Sequence, residues 1–438
     1  MTLRSAAALL VLPLLVLAVM PMPAAAAPLA HREVLPNGIV LLVAERPDVP
    51  IVVARVFLMA GSVFDPADKG GLANLTGALM IRGTAKRTGV QLDDAIEFVG
   101  GSLEAGAGRD GLTVSLSVLT RDLGLGLDLL AEVVLSPTFP EAELTRKVAQ
   151  IQAAIKRSEE DPNTVASRAL AGLVYPSHPY GKPVEGTIES VGKLTRDDVV
   201  AFHREHVRPD SAIVAVVGAI TVDEARRQVL ARLGGWTRPS TPPPVVGPAI
   251  ASGQTRSETL TKDLSQATIM LGRQAIRQTD PDYFSLAVAS YVLGGGSASR
   301  LYARVRDEGG LAYSVYSYVS PARYAATFVV SAQTRVGEVP KVSDLVREEL
   351  SRMVGGPVSE DELRLAKDYL IGSFPLRLDT TAKVADFIVA VEEQGLGLDY
   401  ADRYKASVAR VTAGDVQRVA GRFMAPDSFN RVVVGGKP

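Results

Sequence analysis

In the segment RVRDEGGLAYSV, Arg306 and Tyr313 stand seven residues apart, with Gly309 and Gly310 between them. A guanidinium and a phenol both donate hydrogen bonds and together can hold a carbonyl oxygen, although an Arg that ends a helix ordinarily caps carbonyls or meets solvent and a Tyr on an alternating strand ordinarily packs. That chemistry needs a particular local fold. Arg306 ends a helix, the two glycines turn the chain, and Tyr313 falls on the strand that follows. Other candidates carry less. Of the four histidines, His31, His178, His203 and His206, only the last two share a pattern, at i and i+3 in FHREH beside Glu205. Two imidazoles without a third ligand are an ordinary helix face rather than a metal clip. His178 precedes Pro179 and reads as a turn residue. GGGSAS (294–299) lacks the Lys-Ser/Thr of a phosphate loop and reads as a tight turn between two helices. There is no GxSxG elbow, and with zero Cys there is neither thiol chemistry nor a disulfide. Tyr316, Tyr318 and Tyr324 read as surface or interface aromatics.

The elements that must position these groups are used twice. LTRDDVVAFHREHVRPDSAIVAVVG (194–218) and VTAGDVQRVAGRFMAPDSFNRVVVG (411–435) align without gaps. Each reads as a Thr-initiated helix, a Pro-Asp-Ser turn and a β-branched strand. FPEAELTRKVAQI and VSEDELRLAKDYL form a fainter second pair. So long a period means duplicated domains, not a solenoid. Between them RPSTPPPVVGPAIASGQ (238–254) is rich in Pro, Ser and Gly and reads as an extended linker. Each half opens on strands, and long amphipathic helices follow, notably about 140–157 and 358–376. The expected fold is α+β: two duplicated domains, 31–237 and 255–438, each an antiparallel-rich sheet with helices packed on one face. Residues 1–27 read as a signal peptide, with Arg4, an apolar run from Ala6 to Met20 and small residues up to a cut near Ala26 or Ala27. A periplasmic or otherwise exported protein is expected. Its formal net charge of −1 implies no nucleic-acid-binding face.

LPNGIVLLVAERPDVPIVVARVFLMAGSVFDPADKGGLANL, HPYGKPVEGTIESVGKLTRDDVVAFHREHVRPDSAIVAVVG and LGGGSASRLYARVRDEGGLAYSVYS together resemble the pitrilysin or insulinase-like zinc peptidases, which include the mitochondrial processing peptidases. The resemblance spans nearly the whole mature chain. It implies that the helix at 71–84 corresponds to the one carrying HxxEH, where two His bind zinc and the Glu takes a proton from bound water. Here those positions are Asn74, Gly77 and Ala78, and the third ligand position falls at Ala153 or Ala154. No zinc site is therefore expected in this chain. The resemblance also implies that Arg306 and Tyr313 match an Arg/Tyr pair through which the second half contributes to the chamber, binding a peptide carbonyl and stabilising the oxyanion that forms on it. In two-chain members one subunit carries HxxEH and the other the Arg/Tyr pair. This sequence looks like the second kind, with peptide as substrate and zinc in a homologous HxxEH-containing partner of a heterodimer. The alternative is an inactive scaffold or peptide-binding protein of the same fold.

Overall fold

The computed structural model describes residues 28–251 and 253–436. The expected signal segment, 1–27, lies outside the described residues. Runs of β-branched and alternating residues form two sheets. The first contains β1 (His31–Val34), β2 (Val40–Glu45), β3 (Ile51–Leu58), β4 (Ser102–Ala107), β5 (Leu112–Leu119) and β6 (Ala212–Gly218), in the order β1-β2-β6-β3-β5-β4. The second contains β7 (Ser257–Thr261), β8 (Gln266–Ala275), β9 (Ala312–Ser320), β10 (Ala326–Arg335) and β11 (Asn430–Gly435), in the order β7-β11-β8-β10-β9. Without β1 the two orders correspond strand for strand. In each sheet the last strand inserts between the first two strands of this common order, β6 between β2 and β3 and β11 between β7 and β8. β6 runs parallel to β2 and antiparallel to β3; β11 runs parallel to β7 and antiparallel to β8. The sheets are mixed, with the remaining pairings antiparallel.

The aligned repeat is repeated structure. Helix Arg196–His206 leads through a Pro209–Ser211 turn into β6, and helix Ala413–Phe423 through Pro426–Ser428 into β11. Both helices start on a reciprocal cap. Thr195 accepts from the Asp198 N–H at 3.3 Å while Asp198 accepts from the Thr195 N–H at 3.0 Å. Thr412 and Asp415 do the same at 3.1 and 3.0 Å.

One face of each sheet packs its own half's helices. Val56, Leu112, Leu116 and Val216 meet Leu75, Leu79, Leu127 and Leu130 in the first half. Ile269, Phe328, Val330 and Val433 meet Leu286, Val346 and Val416 in the second. The opposite faces take helices from the other half. Helix Pro162–Val174 lays Leu170 and Val174 on Met270, Val329, Val432 and Val434. Helix Thr381–Glu393 lays Val384, Ala385 and Ile388 on Val53, Ile213, Ala215 and Val217. A Cβ at Gly272 would sit 2.6 Å from Leu170, so glycine is what lets the first helix lie so close. Segment 238–254 holds no helix or strand among its described residues, yet it is pinned: Arg208 donates to the Pro242 carbonyl at 3.2 Å and Gln274 to that of Ala249 at 2.7 Å. Among the described residues no helix is long and apolar enough to cross a membrane.

Candidate functional site

Helix Tyr283–Gly294 ends at the glycine turn, which closes with Ser299 Oγ donating to the Gly296 carbonyl at 2.5 Å. The chain then re-enters a helix that widens into a π-turn over Tyr302–Asp307, where the Glu308 N–H reaches back five residues to Ala303 at 2.9 Å. GGGSAS is thus a turn between helices. Gly310, at φ 59, takes the left-handed conformation that sends the chain into β9.

Along β9 the register with β10 slips. Ser314 faces Gln333 and Ala312 faces Thr334, leaving Tyr313 as the extra residue of a bulge. Ala312 and Val315 are buried, whereas Tyr313 is 76% exposed. Arg306 comes back to meet it. Its guanidinium lies 5.8 Å from the Tyr313 ring centroid and 4.9 Å from that of Tyr302. The helix end, glycine turn and strand expected from the sequence bring Arg306 and Tyr313 together. Arg304, two residues earlier, is engaged by Glu308, Glu348 and Glu349. Among the described residues Arg306 pairs with no carboxylate. Tyr302 is not among the candidates named from the sequence, although its i, i+4 spacing from Arg306 is a signal for it.

Beside this pair lies a cleft of about 430 Å³, lined by the Gly294–Ser297 turn, Tyr302, Arg306 and the Ser314–Tyr318 stretch of β9. Tyr316 and Tyr318 stack in it, ring centroids 5.9 Å apart. β9 bonds only to β10, so its outer edge keeps free backbone donors and acceptors. Tyr324 lies elsewhere, at the junction of the halves, packed against His178 and Tyr180.

The helix Leu72–Met80 keeps its frame for packing. Asp65 accepts from the N–H groups of Gly71 and Ala73, both at 2.8 Å, and so caps its start. Burial pushes the Asp65 pKa up to about 7 against the pull of those N–H groups. Leu72, Leu75, Leu79 and Met80 are all buried. Asn74 and Ala78 are half-buried, and Gly77 is pressed against the edge strand. A Cβ at 77 would lie 3.1 Å from the backbone of Gly106 and Ala107. Helix Glu141–Ser158 packs alongside, exposing Ala153 and Ala154 and burying Ile155. An amide, a hydrogen and methyl groups do not fit zinc.

Three of the four histidines are committed elsewhere. His203 Nε2 is 3.0 Å from the Val134 carbonyl oxygen. His206 lies between Phe202 and Phe64, with ring centroids 4.4 and 5.0 Å away. Burial pushes both imidazoles below their ordinary pKa. His178 accepts from the Tyr180 N–H at 3.2 Å and starts a turn. Among the described residues no group of three or more His, Asp or Glu could hold a metal ion.

Comparison with known proteins adds two family matches. Residues 40–188 match insulinase (peptidase family M16), and residues 193–370 match the peptidase M16 inactive domain. The chain is 31% identical over 359 residues to an uncharacterized zinc protease of Mycobacterium leprae, covering 80% of this chain and 79% of that one. It is 29% identical over 395 residues to an uncharacterized zinc protease of Streptomyces coelicolor, covering 89% and 86%. The crystal structure of a peptidase M16 inactive domain from Pseudomonas fluorescens matches with a TM-score of 0.87 at 25% identity, over 93% of this chain and 98% of that chain. A protease from Helicobacter pylori shares the fold, with a TM-score of 0.86 at 20% identity over 94% and 100%.

Proposed function

The chain belongs to the insulinase-type M16 peptidase family, and on that premise we propose that it is the zinc-free subunit of an exported two-chain metallopeptidase. The observation that carries this is Arg306 held against an extruded Tyr313. Turning a large ring out of the sheet forfeits apolar burial, and leaving a guanidinium without a carboxylate forfeits an ion pair. Both leave donors free beside an unpaired strand edge.

An extended peptide adds to β9 through backbone hydrogen bonds, with its side chains alternating over the Tyr316–Tyr318 cleft. Its carbonyl oxygen meets the Arg306 N–H groups and the Tyr313 hydroxyl. Both strengthen as negative charge gathers on that oxygen, so they lower the barrier rather than merely tightening binding. Neither group gives up its proton. The partner, a homologous HxxEH-bearing chain, would hold the zinc, and the metal would supply an activated water there.

The test is reconstitution. Mixed with such a partner, this chain should raise peptide cleavage far above that of either chain alone, with zinc found only in the partner. Tight stoichiometric zinc in this chain alone, with chelator-sensitive cleavage, would overturn the proposal. An assembled pair indifferent to Arg306→Ala and Tyr313→Phe would leave the role of inactive scaffold or peptide binder.

A further inference from the structure

The strip along β9 ends at a second cation, contributed by the other half. Arg109 stands at the tip of the β4–β5 hairpin, its guanidinium 5.9 Å from the Tyr180 ring centroid. It also lies near two phenols: burial raises the pKa of Tyr175 and of Tyr318, and the charge of Arg109 pulls both back. Among the described residues Arg109 pairs with no carboxylate. Its neighbour Asp110 is engaged instead by the Tyr180 hydroxyl and the backbone N–H of Arg323, accepting from both. A recess of about 80 Å³ lined by Arg109, Ser167, Tyr175, Tyr318 and Thr327 adjoins the Arg306 cleft, because Tyr318 lines both. Arg306, the Tyr316–Tyr318 stack and Arg109 therefore form one continuous strip. From Tyr313 to Tyr318 it measures roughly 17 Å, about five residues of extended chain.

Two unneutralised arginines on one strip of a nearly neutral chain are complementary to an anion. A guanidinium resting on a ring keeps its in-plane N–H groups free, the geometry that takes a carboxylate bidentately. We propose that Arg109, with the Tyr316–Tyr318 stack beside it, is a specificity subsite selecting peptides that carry a carboxylate about five residues from the carbonyl held at Arg306 and Tyr313. The carboxylate belongs to a side chain or to the peptide C-terminus. This rests on the proposal that β9 binds an extended peptide.

Fluorescence anisotropy on the purified mature chain tests both. Three labelled peptides are compared: a twelve-residue one with an internal Glu and an amidated end, its twelve-residue Gln counterpart, and the Gln peptide shortened to end in a free carboxylate at that position. At least one carboxylate peptide should bind roughly ten-fold tighter than the Gln amide, and which one does identifies the source. Arg109→Gln should erase the difference, and Arg109→Glu should turn the preference toward a Lys peptide. Arg109→Lys, which keeps the charge without the planar fork, should retain part of it and serves if the Gln variant melts early by circular dichroism. Equal binding of all three peptides, or a preference that survives Arg109→Gln, overturns the subsite. If the neutral peptide still binds and Arg306→Ala weakens it, the β9 proposal survives that failure. If no peptide binds, both fall.

Discussion

Tyr313 makes no hydrogen bond through its hydroxyl among the described residues, and its ring is 76% exposed. Removing the hydroxyl should therefore leave the fold untouched while removing the donor proposed for the peptide carbonyl. In the reconstituted pair, Tyr313→Phe should lower kcat by roughly ten- to a thousand-fold with an unchanged melting temperature. The measurement is steady-state kinetics beside thermal melts of the isolated chain. The residue pair was legible in the sequence, but the way Tyr313 is presented was not. Leu311, Tyr313 and Val315 alternate as one strand face, yet Leu311 and Val315 are buried and Tyr313 is not. The bulge that separates them is set by pairing with β10, a strand beyond the reach of local periodicity. Gly77 is the opposite case. Its type signals the missing chemistry, but only the structure shows the edge strand filling the space. Asn74→His, Gly77→Glu and Ala78→His together should create no zinc peptidase. Overpacking against Gly106 and Ala107 should cost about 1–3 kcal/mol, measured by urea denaturation with metal analysis alongside.

Caps decide where the principal elements start, and these were the most readable features because their chemistry is local. Thr195 with Asp198 and Thr412 with Asp415 sit at the same point of the repeat. Thr195→Ala and Thr412→Ala should each cost about 1 kcal/mol, and the double variant about the sum, since the caps lie in different halves. Equilibrium unfolding of the three variants checks this. The cap of helix Leu72–Met80 was not anticipated, because Asp65 precedes that helix by a whole loop. Its pKa, raised by burial from 3.8 to about 7, has a consequence for stability. Between roughly pH 4 and 7 the folded chain keeps a proton that the unfolded chain releases, so stability falls as pH rises through that window. Glu393, pushed up to about 7 by burial and by Asp110, adds a slope of the same sign. Asp65→Asn, which keeps an acceptor but cannot titrate, should flatten the pH dependence of the urea midpoint.

The duplication and the Pro-rich segment could be read from the sequence, and the two-sheet fold with them. The exchange of helices between halves could not. An amphipathic pattern shows that Leu170 or Ile388 is covered, not which sheet covers it. The exchange makes each half incomplete. Residues 28–237 expressed alone should aggregate or remain partly unfolded, because Val53, Ala215 and Val217 lose the helix Thr381–Glu393. Residues 255–436 alone should fail likewise. Produced together as two separate chains they should assemble into a one-to-one complex with native circular dichroism, as size-exclusion chromatography would show. Two stable, independent monomers would contradict this account of the core.

The two exchanged helices are the same element of the repeat, each crossing the same two strands of the opposite sheet. Such an arrangement is closed under a two-fold rotation: a half-length polypeptide would offer a second copy of itself both the helix and the surface that receives it. A symmetric ancestor of one domain per chain needs no new contact to make this architecture, only two molecules. Joining them covalently removes the requirement that both copies stay identical. Selection could then act on each copy separately, while their shared packing held them in register. The two copies in the present molecule differ in this way: the first packs the helix Leu72–Met80, with Asn74, Gly77 and Ala78 on it, into its core, and the second holds Arg306 against an exposed Tyr313.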